Sequence, residues 1–230
     1  MTRAELLSTL FNRAPSSIAI GGTSGKSTVT GMLGWIMHQA GRDPTIMNGA
    51  VMKNFVAPDT PFASARVGAG DVFVSEVDES DGSIALYRPS VAVLLNVSLD
   101  HKSMEELRQL FGDFLAIAGR AAINWDDSES RALASRASAP VTFAIDHPEA
   151  MIGVEPGTIA DSPTGIAARL IDRSSGMRHA LVLQVPGHHN LSNALAAVAG
   201  AHAAGVSIAD AVAALGTFAV LARRFDIVGT

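Results

Sequence analysis

Ser17-Ile18-Ala19-Ile20-Gly21-Gly22-Thr23-Ser24-Gly25-Lys26-Ser27-Thr28 is the stretch whose reading decides the fold. The apolar run Ile18 to Ile20 breaks at two glycines, and behind Lys26-Ser27-Thr28 come Val29, Leu33, Ile36 and Met37 at helical spacing. This pattern predicts strand, phosphate loop and helix. Glycines at 21, 22 and 25 let backbone N–H groups turn inward with no Cβ in the way, and the helix start behind them carries roughly half a positive charge. A polyphosphate is expected there, bound by Gly22, Thr23, Ser24, Gly25, Lys26, Ser27 and Thr28. Lys26 would reach the terminal phosphates, and the Ser27 hydroxyl would ligate a magnesium ion. The general loop pattern wants glycine five residues before Gly25, where Ile20 stands. The match is therefore to a variant, G-T-x-G-K-S, with Gly22 in place of the outer glycine.

Composition narrows the classes around this loop. With 230 residues, 48% of them apolar, the chain can bury one large core or two small ones. There is no uninterrupted apolar run of membrane-spanning length, and Arg3 and Glu5 interrupt the start where a signal peptide would need an apolar core. A cytoplasmic location is expected. Absence of cysteine excludes disulfides and thiolate metal sites. A net charge of −5 argues against nucleic acid or an anionic membrane as partner, so an anionic ligand must be captured locally.

Thr2-Arg3-Ala4-Glu5 reads as a capping box before a short helix with Leu6, Leu7, Leu10 and Phe11, ended by Pro15. After the loop helix, Gly41 is a stop, and a brief strand from Thr45 to Met47 leads into Asn48-Gly49 and an irregular stretch to Gly70. Asp71 to Val77 reads as a buried strand ending in Glu76, followed by Asp78, Glu79 and Asp81. Alternation along an extended chain leaves Glu76, of that cluster, facing the phosphate site. A second buried strand, Val91 to Val97, passes Asn96 and runs into Asp100-His101. Both strands deliver polar groups at their C-terminal ends, where ligands sit in open α/β sheets. Ser103-x-x-Glu106 opens a helix to Leu115, followed by a strand near Ala121 to Ile123, a short polar helix capped by Asp126-Asp127-Ser128 and running to about Arg136, and a strand from Val141 to Ile145. Between about 146 and 185 the pattern shifts to period two, with a hairpin across Ser174-Ser175-Gly176, which predicts a small antiparallel β annex. Pro186-Gly187 precedes an alanine-rich helix that begins at His188-His189-Asn190, and Ser207-x-x-Asp210 caps another to Leu215. Alternating strands and helices predict an α/β fold with a mostly parallel sheet of P-loop type and helices on both faces.

Taken with the loop, four later stretches resemble the Mur ligase family, ATP-dependent amide-forming enzymes of peptidoglycan precursor synthesis. They are E-V-D-E-S-D-G-S (Glu76 to Ser83), N-V-S-L-D-H (Asn96 to His101), P-G-H-H-N-L-S-N-A (Pro186 to Ala194) and R-R-F (Arg223 to Phe225). Within the family they look most like the UDP-N-acetylmuramate:L-alanine ligase branch and its tripeptide-ligating relatives. The resemblance is to the central ATP-binding domain, which implies an N-terminal nucleotide-sugar domain and a C-terminal amino-acid domain outside these 230 residues. It also implies ATP and Mg2+ as cofactors, and a UDP-muramyl-type carboxylate with an amino acid or peptide as small-molecule substrates.

For individual residues it implies Lys26, Glu76 and His101 as catalytic, with Ser27, Glu76 and His101 holding divalent ions. His189 and Asn190 match a His-Asn pair that contacts adenine, with Asn193 one turn on, and Arg224 matches an arginine that reaches the ATP phosphates. Ser80, Asp81 and Ser83 resemble residues that line the carboxylate cleft. By residue type alone, His101 also reads as a surface or capping histidine and His189-Asn190 as a helix cap. Two departures stand out. Asn48 occupies the first of two positions where the family usually has paired glycines, and the lysines, at 26, 53 and 102, leave the helix after His101 without one. A non-catalytic ATP-binding module, or a related ligase of folylpolyglutamate or poly-amino-acid type, would carry the same motifs.

Overall fold

A computed structural model describes residues 2–219 and residue 221. Local signals set most of its element boundaries. The Thr2 hydroxyl accepts from the Glu5 amide and the Glu5 carboxylate accepts from the Thr2 amide, closing α1 (Arg3–Arg13) at its start. Pro15 holds Ala14 in an extended conformation, and the chain leaves the helix there. In order follow β1 (Ser16–Gly21), α2 (Lys26–Gln39), β2 (Thr45–Met47), β3 (Ala65–Arg66), β4 (Val72–Glu76), β5 (Val91–Leu94), α3 (Met104–Ala116), β6 (Arg120–Asn124), α4 (Ser128–Ala132) and β7 (Val141–Phe143). The rest comprises β8 (Ile152–Val154), β9 (Ala160–Ser162), β10 (Gly165–Asp172), β11 (Arg178–Leu183), α5 (His188–Ala203) and α6 (Ile208–Leu215).

Among the described residues all eleven strands join one sheet, ordered β11-β10-β8-β7-β6-β5-β1-β4-β2-β3 with β9 beside β10. From β2 to β8 the pairings are parallel, with Ile18 of β1 opposite both Val74 of β4 and Val91 of β5. Such strands need cover on both faces, and the burial shows it. Ile18, Ile20, Val74 and Val93 pack under α2, α5 and α6, whereas Ala19, Phe73, Ala92 and Leu94 point the other way, onto α1 and α3. The chain moves from β1 out to β2 and back through β4, then crosses to β5 on the far side of β1. Strand order reverses at β1, so the crevice at its C-terminal end is where an open α/β sheet takes a ligand.

The antiparallel strands at 152–183 do not form a separate layer. β8 continues the parallel sheet beside β7 through Phe143 and Ile152, and β10 and β11 then add antiparallel. The hairpin turn forms as expected, with Asp172 accepting from the hydroxyls of Ser174 and Ser175 and Gly176 at φ 74°. The stretch after Asn48 is less irregular than its sequence suggests. It contains a 3₁₀ turn at Lys53–Phe55 and the strand β3, antiparallel to β2. Two residues of strand are too short to carry a readable alternation.

Candidate active site

The loop between β1 and α2 is shaped by one side chain from the neighbouring strand end. Asn96 Oδ1 accepts from the Thr23 hydroxyl at 2.8 Å and the Ser24 amide at 2.9 Å, its Nδ2 donates to Ser24 O at 3.1 Å, and its own carbonyl accepts from the Thr23 amide at 3.2 Å. Sequence reasoning gave Asn96 no site role, although its place at a buried strand end beside the loop was the available signal. Gly25 caps α2 at φ 86° and brings no side-chain acceptor, so the first-turn amides have no side-chain cap. A Cβ at Gly25 would come within 2.7 Å of Asn193 Oδ1, which puts α5 directly against the loop. Thr28 lies half-buried in the same first turn.

Ser27, at the helix start, donates its hydroxyl to Glu76 Oε2 at 2.8 Å. Two hard oxygens are thus within reach of one cation, the donor set that magnesium takes when phosphate and water complete its shell. Asn48, the departure from paired glycines, is buried and donates to Ser27 O at 3.0 Å while accepting from the Ala50 amide. Its amide ties the end of β2 to the first turn of α2. Gly49 is under a stricter limit, because a Cβ there would overlap Glu76 Oε1 and lie 3.4 Å from Ser27 Oγ. Gly49→Ala is therefore expected to push the Glu76 carboxylate off Ser27 and weaken magnesium-dependent nucleotide binding by about 10-fold, the worth of one hydrogen bond to a charged group. Stability should change by less than about 1 kcal/mol, since only the end of a flexible side chain must move. Calorimetric titration with and without magnesium, beside a urea melt, checks both halves; an unchanged magnesium dependence contradicts the geometry.

Lys26 curls back over the loop. Its Nζ donates to Gly22 O at 2.7 Å and to both carboxylate oxygens of Glu79, at 2.9 and 3.2 Å. Glu79 is only 4% exposed. The expectation that a single acid of the cluster faces the loop is thereby corrected. β4 stops at Glu76, so alternation stops with it, and the turn that follows swings Glu79 back onto the lysine.

A cavity of about 300 Å³ opens beside the loop, with Lys26, Asn48, Glu76, Asp81, Ser83 and Arg3 of α1 in its wall. Asp81 and Ser83 are thus brought to the cleft, joined by the Ser83 amide donating to Asp81 Oδ1 at 2.8 Å. Ser80 does not line it, and its amide donates instead to Asp78 Oδ1 at 2.9 Å. Burial pushes the Asp78 carboxyl up, but the Ser80 hydrogen bonds and the charges of Lys26 and His101 outweigh it, leaving the group below its ordinary value. Tyr87, at the cleft floor, is pushed up by burial, only partly offset by a hydrogen bond with Ser75 and the charge of Arg3.

The remaining expected residues are less convergent. His101 is exposed, with Nε2 at 3.5 Å from Asp100 Oδ1, and no three His, Asp or Glu side chains among the described residues form a metal cluster. Asn190 is buried, and its Nδ2 donates to Pro186 O at 2.7 Å. The α5 N-cap is Gly187 and no side chain caps the helix amides, so the helix-cap reading is not met, and the Asn190 oxygen and second Nδ2 hydrogen remain for a base. His189 is exposed at the same helix start, and Asn193 faces the loop. Arg224 lies outside the described residues.

A sequence model of the Mur ligase middle domain matches residues 20–201. The chain belongs to the Mur ligase family. The UDP-N-acetylmuramate--L-alanine ligase of Synechococcus sp. (strain JA-3-3Ab) is 35% identical over 229 residues, covering 99% of this chain and 43% of that protein. The protein of the same name from Paenarthrobacter aurescens (strain TC1) is 37% identical over 223 residues, 92% of this chain and 46% of its own length. This Mur ligase chain spans about half the length of the curated relatives it matches. Among solved structures, UDP-N-acetylmuramate-alanine ligase MurC from Thermotoga maritima superposes with a TM-score of 0.82 at 25% identity, over 97% of this chain and 50% of that one. A murein peptide ligase from Psychrobacter arcticus 273-4 gives 0.81 at 25% identity, over 100% of this chain and 52% of that one. No helix among the described residues is long and apolar enough to cross a membrane.

Proposed function

We propose that this chain is the ATP-binding unit of an ATP-dependent carboxylate–amine ligase that activates a UDP-muramyl-type carboxylate as an acyl phosphate in peptidoglycan precursor synthesis. One observation carries this reading: the glycine loop with Lys26 and the Ser27–Glu76 pair opens onto the cleft that holds Asp81 and Ser83. A carboxylate oxygen of the acid attacks the γ-phosphorus as the bond to the ADP oxygen breaks. The amine nitrogen then attacks the acyl carbon, phosphate departs as the nitrogen gives up a proton to solvent, and an amide remains. No enzyme nucleophile takes part, so the protein's work is alignment and charge neutralisation. Lys26 and the α2 amides would serve the phosphates, and Ser27 and Glu76 would hold a magnesium ion that supplies positive charge to the phosphate oxygens. His189, Asn193 and the Asn190 oxygen are the groups for adenine, Arg224 a further phosphate contact, and His101 a ligand for a second divalent ion.

Calorimetry with Mg-ATP and Mg-GTP tests the nucleotide, with Mg-ATP expected to bind more tightly. Equal or tighter Mg-GTP binding overturns the adenine assignment. Phosphate release by the natural longer protein with UDP-N-acetylmuramate and L-alanine tests the acid and the amine; release only with an unrelated acid would move the chain to another ligase of the family.

A further inference from the structure

We propose that Arg3 is a substrate-binding residue, its guanidinium taking an anionic group, carboxylate or phosphate, of the acid that the ligase reading brings to the cleft. This rests on that reading for the identity of the acid, not for the presence of the site. Arg3 stands in the first turn of α1 and lines the same cavity as Lys26. Among the described residues of the wall these two are the cations, set against Glu76, Asp78 and Asp81. Lys26 is already held by Gly22 O and Glu79, and in the ligase it would serve the nucleotide. An acid entering beside a triphosphate and three carboxylates meets repulsion that the charge of Arg3 would offset, beside that of the divalent ions. Arg3 makes no hydrogen bond or ion pair with any described residue, and its charge reaches the buried Tyr87 hydroxyl on the cleft floor.

The helix that carries it is fixed. Phe11 is fully buried against Phe73 and Tyr87, and Asn12 bridges Leu86 O at 2.9 Å and the Arg88 amide at 2.8 Å. The same wall also includes the apolar residues Ala4, Leu7, Met47 and Val77, which suits an acid with a short aliphatic segment. A planar fork of five donors matches carboxylate and phosphate oxygens two at a time, whereas an ammonium offers a point charge.

The test uses this chain with Mg-ADP bound and follows the Arg3 Nε–Hε resonance by NMR while two probes are added in turn. N-acetylmuramate has the carboxylate and no phosphate; UDP-N-acetylglucosamine has the diphosphate and no free carboxylate. At least one is expected to shift the Arg3 resonance, and Arg3→Ala should weaken that probe's binding by about 10-fold while leaving Mg-ADP affinity within about 2-fold, with Arg3→Lys recovering part of the loss. The probe that responds identifies the anion. If neither probe moves the resonance, or if Arg3→Ala binds both as the native chain does, the proposal is overturned. Titration of the native chain with Mg-ATP keeps the two readings apart: loss of nucleotide binding sinks the ligase reading, whereas nucleotide binding with an indifferent Arg3 sinks only this one. A melt of Arg3→Ala matching the native chain rules out a folding artefact, as expected for an exposed first-turn side chain.

Discussion

Lys26→Met is expected to lower nucleotide affinity by about 100-fold and to destabilise the fold by about 3 kcal/mol, two effects with separate causes. Affinity falls because charge-assisted hydrogen bonds to phosphate are lost, each worth about 1.5–3 kcal/mol. Stability falls because Glu79, 4% exposed and bonded through both oxygens to Lys26, is left as a buried charge without its partner. Adding Glu79→Gln in the same molecule removes the stranded charge and should restore most of the stability without restoring binding. Glu79→Gln alone frees the lysine from its counterion and should bind nucleotide more tightly than the native chain. Urea melts and calorimetry on the three variants check this. A double variant no more stable than Lys26→Met would show that the Lys26–Glu79 pair is not what holds this turn.

Phe11→Ala is expected to cost about 3–5 kcal/mol, read from the shift in a urea melt at constant slope. Phe11 is 0% exposed, and its ring stands edge-on to Phe73 at 5.4 Å and 61° and to Tyr87 at 5.0 Å and 69°. Truncation removes apolar surface, opens a cavity and deletes two aromatic pairs worth about 0.5–1.5 kcal/mol each. The site also suffers, because these contacts hold α1, and with it Arg3, against the sheet. Phe62, 81% exposed, is the control, and Phe62→Ala should fall within about 0.5 kcal/mol of the native chain. A loss below about 1.5 kcal/mol for Phe11→Ala would mean that the surrounding rings close the gap.

Much of this chain could be read without its fold, wherever the deciding interaction lies within a few residues. The capping boxes at Thr2 and Ser103 join residues three apart, and they form as read. The Ser207 cap, the Thr45–Met47 strand and the turn at Gly176 were legible for the same reason, and the run from Ile18 to Ile20 read as a strand because it is apolar and breaks at two glycines. Loop, sheet class and order of elements followed. What remained hidden was the geometry of the contacts that close the site across the chain, although Glu76 was expected at the phosphate site beside Ser27. Asn96 reaches Ser24 over 72 positions, Glu79 reaches Lys26 over 53 and Ser27 reaches Glu76 over 49. Of the acids from Glu76 to Asp81, alternation could single out Glu76 but not Glu79, because the turn after β4 has no period and only packing against the loop decides which side chain turns inward. Arg3 carried no signal in its own neighbourhood, where it is one exposed residue of a capped helix. It lines the cleft because Phe11 seats α1 on Phe73 and Tyr87, and that seating is a property of the folded core.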